Sequence, residues 1–350
     1  MLRYSRRAPV LYVEPVQPPH RRVVVGYPGA PTHKISEGLW SLSIVKPLPL
    51  DRTFDWVKNV NESMVRGRVI SVARELRLHD YLLWFSYYDS LGLDRTESTR
   101  FKVYDCIDDW SEFRQAYRDR LPEMEARLVK ESQVVFATSR RLYEGKHRLN
   151  PHTYLVPNGV DFEHFSRPAG LTVPPALQDV QHPTIGYSGA ISWWVDLELV
   201  EAVARKRPDW SFVFVGPVKE GIRLPRLANV RFVGQVPYEA VPSYLSVFDV
   251  CLIPFRQTRL IESVDPIKVY EYLATGKPIV STPLPQVERF RPFVEIVEGP
   301  NLEHAIEQAL KDDSSDRREA RKGIAAENSW DRRFAEIMRI IHERRQEVGM

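Results

Sequence analysis

Short apolar runs rich in β-branched residues alternate with longer helical patterns along almost the whole chain. A parallel sheet buries both faces of its strands under helices, so its strands read as apolar runs separated by helical segments. The pattern therefore predicts α/β domains built on parallel sheets. Predicted strands lie at 10–13, 39–45, 81–87, 102–106, 134–138 and 153–156 in the first half, and at 184–187, 211–215, 230–233, 250–253, 278–281 and 294–297 in the second. Helical patterns stand between them, notably at 54–76 and 123–130.

A chain of 350 residues is long enough for two such domains, each with its own core. Between the halves, segment 166–183 contains four prolines and a glycine without hydrophobic periodicity, which is typical of a linker. We therefore predict an N-terminal domain at 1–165 and a C-terminal domain at 184–328. Ser329 is a candidate cap for a final amphipathic helix at 329–350. Which domain receives its apolar stripe stays open, and a return to the N-terminal domain is one candidate.

Composition excludes several classes of protein. The two cysteines, Cys106 and Cys251, each end an apolar run, which indicates buried thiols in a reducing compartment and neither a disulfide framework nor a metal site. No secretory signal and no apolar run of about 18 residues is present, so we expect a cytoplasmic protein, soluble or peripheral at the membrane. Residues 1–80 carry 13 Lys and Arg against 7 Asp and Glu, an excess that would attract an anionic membrane surface or acceptor lipid. An Arg-rich solvated surface is the alternative, and the scattered charges do not indicate nucleic acid.

The segment at 263–280 carries the most chemical information. Asp265 is a candidate N-cap, Pro266 suits the first helical position, and Gly276 ends the helix. Lys268 and Glu271, three residues apart, share one face near the helix N-terminus, where free N–H groups favour a diphosphate. An exposed Lys–Glu pair on a core helix is the alternative, and an Asp265 cap would repel a diphosphate.

This segment resembles the nucleotide-binding helix of GT-B glycosyltransferases, in the Pro-x-Lys-x-x-Glu-x-x-Ala-x-Gly-x-Pro form of bacterial exopolysaccharide and teichuronic-acid enzymes. The resemblance implies that Ile267, Lys268 and Glu271 bind the donor, with Glu271 on the ribose. The related family-four transferases pair this Glu with another eight residues earlier. Here Ser263 occupies that place, and Glu262 is one position away.

Three further segments extend the resemblance over roughly residues 100–345. The Pro-Asn-Gly-Val-Asp sequence at 157–161 is similar to the family's interdomain turn, so Asn158 is a candidate donor contact. Gly186 and Gly189, in and after a predicted strand, would let backbone N–H groups approach a phosphate. Gly234 and Gln235 are candidates for the base pocket. Ordinary tight turns and loops are the alternative at each place, because no dinucleotide fingerprint or P-loop occurs.

A carboxylate group follows the predicted strand at 102–106. Asp108 stands at the transition to the next element, where it serves either as a general base or as a helix N-cap. Similar Tyr-x-x-x-Asp segments occur in inverting bacterial uronosyltransferases that look related, with the Asp as base, and both roles stay open. Asp108 is the candidate catalytic residue over Asp105, which lies in the strand, and Asp109, which should point elsewhere on the following turn. The resemblance fails at the chain start, where the family's usual first strand and helix are missing, so either Met1 is not the true start or the N-terminal sheet is reduced.

Together these observations predict a GT-B glycosyltransferase with two doubly wound, Rossmann-like α/β domains facing across a cleft. The C-terminal domain would bind a nucleotide sugar, by resemblance a UDP-sugar, and the N-terminal domain a surface polysaccharide or lipid-linked glycan that accepts a hexosyl or uronosyl group. No metal or other cofactor is expected, because no strict Asp-x-Asp pair occurs. The alternatives are a GT-B-like sugar-nucleotide epimerase and a non-catalytic scaffold of a polysaccharide-synthesis complex.

Overall fold

The structure is a computed structural model that describes residues 1–14, 32–44, 48, 53–88, 92–93, 101–112, 121–167, 172–297 and 301–349. It divides into two units. The N-terminal unit comprises Met1–Ala137, Tyr143–Tyr154 and Arg339–Met350, and the C-terminal unit comprises Thr138–Leu142 and Leu155–Met338. The predicted linker lies partly outside the described residues, at 168–171, and the predicted domain bounds stay a prediction.

Two sheets are described in the first half of the chain. The strands are β1 (Val10–Val13), β2 (Thr32–Ser36), β3 (Leu39–Leu42), β4 (Leu83–Phe85), β5 (Lys102–Cys106), β6 (Val134–Ala137) and β7 (Thr153–Leu155). Their orders are β1-β3-β2, with only β2 antiparallel, and β4-β5-β6-β7. The helices are α1 (Leu2–Ser5), α2 (Asp55–Glu75), α3 (Leu121–Glu131) and α4 (Arg140–His147). Valines at helical spacing along α2, from Val57 to Val72, form its buried face.

The second half contains one sheet, parallel throughout its described strands. These are β8 (Thr184–Ser188), β9 (Ser211–Val215), β10 (Val230–Gly234), β11 (Val250–Ile253), β12 (Ile279–Ser281) and β13 (Glu295–Ile296). Their order is β10-β9-β8-β11-β12-β13, which is the doubly wound arrangement. The helices are α5 (Phe162–Ser166), α6 (Leu197–Lys206), α7 (Val241–Val247), α8 (Arg259–Ser263), α9 (Ile267–Thr275), α10 (Leu302–Lys311), α11 (Ser315–Glu327) and α12 (Trp330–Glu347).

Local sequence sets the ends of several helices. The Asp196 carboxylate accepts the Leu199 N–H at 3.1 Å and so caps α6, and the Ser329 hydroxyl accepts the Arg332 N–H at 3.4 Å at the start of α12. Gly276 ends α9 in the left-handed region at φ 74°. The second half of α12 lies in the N-terminal unit, where the Arg344 Nε donates to the Gln133 carbonyl at 3.3 Å. The second half of the last helix, with Ile340 and Ile341 of its apolar stripe, therefore returns to the N-terminal unit, whereas its first half belongs to the C-terminal unit.

The predicted strands of both halves are confirmed, with ends that differ by up to three residues. Residue 45, the predicted end of the second strand, lies outside the described residues. The strand β2 is absent from the prediction because its residues are polar and exposed, without an apolar run to mark it.

Candidate functional site

The strand order of the C-terminal sheet reverses between β8 and β11. From β8 the chain moves outward through β9 to β10, and from β11 it moves the other way through β12 to β13. In open parallel sheets such a reversal leaves a crevice at the carboxyl ends of the two central strands, and ligands bind there. The residues that directly follow β8 and β11 are therefore the candidates for a binding site.

Glycines end three neighbouring strands on this side of the sheet. Gly189 follows β8, Gly216 follows β9 and Gly234 ends β10, all with positive φ. The Gly189 N–H donates to the Val215 carbonyl, and the Gly216 N–H donates to the Gly234 carbonyl, both at 2.8 Å. A side chain on Gly216 would collide with the Gly189 carbonyl, so only glycine permits this approach. Gly216 is absent from the sequence prediction, although its place directly after a strand, like that of Gly189, is a usable signal.

Lys268 lies at the same point. A Cβ on Gly189 would stand 3.1 Å from the Lys268 Cε and 3.2 Å from its Nζ. The ammonium group faces the ring of Tyr187, from β8, with 5.3 Å to the centroid, and the ring of Phe255, just after β11, at 4.8 Å. The structure therefore brings Gly189 and Lys268 together at the switch point of the sheet.

The charge of Lys268 is not neutralised by a close partner. No carboxylate forms an ion pair with it among the residues that the structure describes. Burial lowers its pKa to about 8, and the charge of Glu271 acts in the opposite direction. A half-buried cation held over aromatic rings beside glycine backbone is suited to bind an anion.

Glu271 stands one turn further along α9. Burial raises the pKa of its carboxyl group, while the charge of Lys268 lowers it. Its carboxylate has no hydrogen-bond donor within the described part of the chain, so both oxygens are available to hydroxyl groups of a ligand. Ile267, the first residue of α9, is 44% exposed and begins the helix beside them.

The predicted N-cap role of Asp265 is wrong. Pro266 is the capping position of α9, no side chain caps the helix, and the Asp265 side chain is fully buried. Its carboxylate accepts the Asn158 N–H and the Tyr270 hydroxyl, each at 2.7 Å, and pairs with Arg289 at 3.4 Å. Because the charge is shielded and paired, the expected repulsion of a diphosphate at the helix start does not apply.

Asn158 binds Asp265 through both its backbone and its side chain. Its backbone N–H binds the Asp265 carboxylate, and its side-chain amide donates to the Asp265 carbonyl at 2.7 Å. The next residue, Gly159, has no space for a side chain, because a Cβ would stand 2.7 Å from the Asn328 carbonyl. The turn thus anchors the start of α9, and a direct donor contact by Asn158 stays a prediction.

The remaining candidates of the C-terminal half differ in exposure. Gly186 lies inside β8 under the ring of Phe248, which would overlap any Cβ at this position. Ser263 is fully buried, and its hydroxyl donates to the Arg259 carbonyl at 3.4 Å. Packing explains both residues without a ligand. Gly234 has open space around its Cα, and Gln235 is exposed directly after it, so this edge is accessible.

In the N-terminal unit, the residue that caps the turn after β5 is Asp109 and not Asp108. Asp109 accepts the Ser111 N–H at 3.3 Å and the Ser111 hydroxyl at 2.5 Å, so it caps the turn at Trp110–Glu112. The Asp108 side chain accepts no hydrogen bond from the described residues. Its partial burial, and then the charge of Asp109, raise its pKa to about 6. Burial also raises the pKa of Asp105 to about 6, although the Trp84 Nε1 donates to it at 3.3 Å.

The described residues contain neither a candidate metal-binding cluster nor a candidate membrane-spanning helix. No three His, Cys, Asp or Glu side chains converge there as a metal ion would require. Over the same residues, no helix combines the length and the apolar character that crossing a bilayer demands.

The C-terminal half of the chain is similar to a known family of proteins. Residues 182–312 match the family described as Glycosyl transferases group 1. A Bacillus subtilis (strain 168) protein named as a teichuronic acid biosynthesis glycosyltransferase, TuaH, is 29% identical over 290 residues, which cover 73% of this chain and 70% of that protein.

Solved structures show the fold. The sucrose-phosphate synthase of Thermosynechococcus elongatus is 17% identical with a TM-score of 0.68, over 92% of this chain and 87% of that one. An E. coli trehalose-6-phosphate structure bound with UDP-2-fluoro glucose is 12% identical with a TM-score of 0.67, over 95% of this chain and 92% of that one. HepE of Anabaena in complex with UDP is 15% identical with a TM-score of 0.59, over 79% of this chain and 82% of that one. These likenesses establish the GT-B fold, with the matched group 1 domain in the C-terminal half.

Proposed function

We propose that this chain, a glycosyltransferase of the GT-B fold, transfers a sugar from a UDP-sugar that binds at the carboxyl edge of the C-terminal sheet. One observation carries the proposal: Lys268, without an ion-pair partner in the described chain, lies against Gly189 at the switch point between β8 and β11. An anionic group is the ligand that this arrangement accepts. Two similar structures are described with UDP or a UDP-sugar, which supports uridine as the nucleoside.

The donor would lie along α9. Its diphosphate would approach the Gly189 backbone and the Lys268 ammonium, and the first N–H groups of α9 would add their dipole. Glu271 would accept hydrogen bonds from the two ribose hydroxyls, and Gly234 and Gln235 would border the base. Asn158, Gly186 and Ser263 stay weaker candidates, because the structure explains each of them by packing.

Departure of the sugar leaves the bonding electron pair on the terminal phosphate oxygen and so adds one negative charge to the two that the diphosphate already carries. Lys268 and the α9 N-terminus face that position and would stabilise the leaving group as the charge develops. We therefore propose transfer without a metal ion. Full activity in EDTA would support this step, and activity lost in EDTA and restored by Mn²⁺ would overturn it.

The acceptor hydroxyl would be activated in the N-terminal unit. The Asp108 carboxylate accepts no hydrogen bond in the described chain, and its pKa of about 6 leaves it ionised at neutral pH with appreciable basicity. As the sugar transfers, the carboxylate would take the proton from the attacking oxygen, which corresponds to an inverting reaction. Asp109 is occupied as a cap and is not a competing base.

The acceptor would be a surface polysaccharide or its lipid-linked precursor, at the cytoplasmic face of the membrane. The name of the Bacillus subtilis relative supports a cell-envelope glycan. On α2, Trp56, Val60 and Met64 are exposed at a spacing of four residues, and Trp56 is 64% exposed. Such an apolar row would rest on a membrane surface. Sedimentation of the protein with anionic vesicles tests this contact. A Trp56→Ala and Met64→Ala double variant should sediment with the vesicles less than the wild type does.

A labelled UDP-sugar incubated with the protein and a lipid extract tests the whole proposal. Transfer of label to the lipid or glycan fraction, with release of UDP, is the expected result. Conversion of the donor to another UDP-sugar without an acceptor would indicate an epimerase. UDP binding without any turnover over a panel of UDP-sugars and extracts would indicate a scaffold.

A further inference from the structure

An aromatic cluster lies at the carboxyl ends of β4 and β5. Tyr87, two residues after β4, packs against Tyr88 with 4.2 Å between ring centroids, and its hydroxyl donates to the Tyr88 hydroxyl at 2.9 Å. The ring of Trp110 contacts Tyr87 edge to face, with 4.8 Å between centroids. The two strands are parallel neighbours, which brings these segments to one edge of the sheet.

The cluster is partly open to solvent although it is held in place. Tyr88, only 4% exposed, is the buried member of the cluster. Tyr87 is 39% exposed, and Ile107, just after β5, is 37% exposed. Rings fixed by neighbouring rings lose little conformational entropy when a ligand covers them. An exposed aromatic face of this kind is therefore prepared for contact.

Asp108 lies in the connection after β5, between Ile107 and Trp110. The same short connection thus presents an apolar ring surface and a carboxylate that accepts no hydrogen bond from the described residues. A pyranose ring matches both features, because it has a face of C–H groups and a rim of hydroxyl donors. A lipid phosphate matches neither, because it would need cations or N–H donors.

We infer that Tyr87 and Trp110 form a subsite for a sugar ring of the acceptor, with the C–H face of the pyranose on the aromatic rings and one hydroxyl directed to Asp108. This inference rests on the proposed function, and it narrows the acceptor to a molecule that presents a sugar ring. An acceptor that presents only a lipid phosphate or a simple alcohol would leave the rings uncovered.

Saturation-transfer NMR with methyl glycosides of hexoses and N-acetylhexosamines tests the subsite without turnover. The wild-type protein should transfer saturation to the C–H protons of one ring face of at least one sugar. Tyr87→Ala and Trp110→Ala should each weaken that binding about tenfold, the scale of one lost aromatic contact. Tyr87→Phe keeps the ring and should retain the signal, and Trp56→Ala removes an exposed ring elsewhere and should change nothing.

Two controls separate this inference from the proposed function. Melting temperatures identify a variant that fails to fold, and Tyr87→Phe then carries the comparison. Calorimetry with UDP reports the donor site independently, so absence of sugar binding in the wild-type protein with intact UDP binding would contradict only the acceptor subsite. A sugar signal equal in the wild type and in Tyr87→Ala, or none with any of the glycosides, would overturn the inference.

Discussion

Lys268 and Glu271 make separable contributions to the donor site, because one would contact phosphate and the other ribose. Lys268→Ala should weaken UDP binding more than uridine binding, whereas Glu271→Ala should weaken both. Each loss should be about 1–3 kcal/mol if the hydrogen bonds involve a charged group. Calorimetry measures the affinities for UDP and for uridine in the wild type and in each variant. Lys206→Ala, on the exposed end of α6, is the matched control. Unchanged UDP affinity in both site variants would contradict the assignment.

The pKa of Lys268 makes donor binding depend on pH in a defined direction. The ammonium form binds the diphosphate, and a pKa of about 8 in the free protein means that it is lost as pH rises through 8. Affinity for UDP should therefore be constant below pH 7 as far as Lys268 is concerned and fall about tenfold between pH 7 and pH 9. Uridine, without phosphate, should not show the fall, and Lys268→Ala should abolish it. A UDP affinity that rises over this interval would contradict the assignment.

Asp108 and Asp109 provide an adjacent pair that separates chemistry from capping. Asp108→Asn should lower kcat by roughly 10²-fold or more, the scale of general-base removal. UDP affinity should not change, and the variant should be at least as stable at pH 7, because a carboxylate whose burial raises its pKa is replaced by a neutral group. Asp109→Asn keeps a side chain that can cap, so its kcat should stay near that of the wild type. Wild-type turnover in Asp108→Asn would make a retaining mechanism the better interpretation.

At the scale of elements, the sequence predicts a strand or helix best where burial of apolar side chains is the main determinant of its position. Buried parallel strands such as β9 and β11 are almost entirely apolar runs, and they lie at the predicted residues. Helix starts are harder, because a capping side chain has competing partners. Asp265 precedes α9 as a cap would, yet its carboxylate binds the Asn158 N–H from a distant segment and the Tyr270 hydroxyl from α9 instead.

The site was predictable only in part for the same reason. Spacing along one helix suggests Lys268 and Glu271, and a glycine after a strand suggests Gly189. The rings of Tyr187 and Phe255 around Lys268 were not predictable, because their proximity depends on β8 and β11 being neighbours in the sheet. Strand order is a property of the whole unit that local patterns do not encode.

The loop after β8 offers a test at this scale. Gly189→Ala adds a methyl group 3.1 Å from the Lys268 Cε and forces a side chain into φ 141°, so it should displace the lysine and weaken UDP binding about tenfold or more. Gly221→Ala is the matched control, because Gly221 also has positive φ but open space around it. Both variants carry backbone strain, and only the first should lose UDP affinity in calorimetry. Equal losses in the two would show that strain, and not the approach to Lys268, determines the effect.

At the scale of the whole molecule, the residues of the donor site and the last turns of the C-terminal helix lie in different units. Gly189, Lys268 and Glu271 all belong to the C-terminal unit, whereas the last turns of α12 belong to the N-terminal unit. There Ile341 is 3% exposed, and its exposed neighbour His342 provides a control on the same turn.

Ile341→Ala should lower the free energy of unfolding of the N-terminal unit by about 2–4 kcal/mol, because it removes buried methyl groups and leaves a cavity. His342→Ala should change it by less than about 0.5 kcal/mol, as exposed substitutions usually do. Well below the melting temperature, UDP affinity should be the same in both variants and the wild type, since the donor residues lie in the other unit. UDP should also still raise the melting of the C-terminal unit by mass action in Ile341→Ala. A fall in UDP affinity in Ile341→Ala alone, measured at a temperature where the protein is fully folded, would show that the donor site depends on the packing of the N-terminal unit.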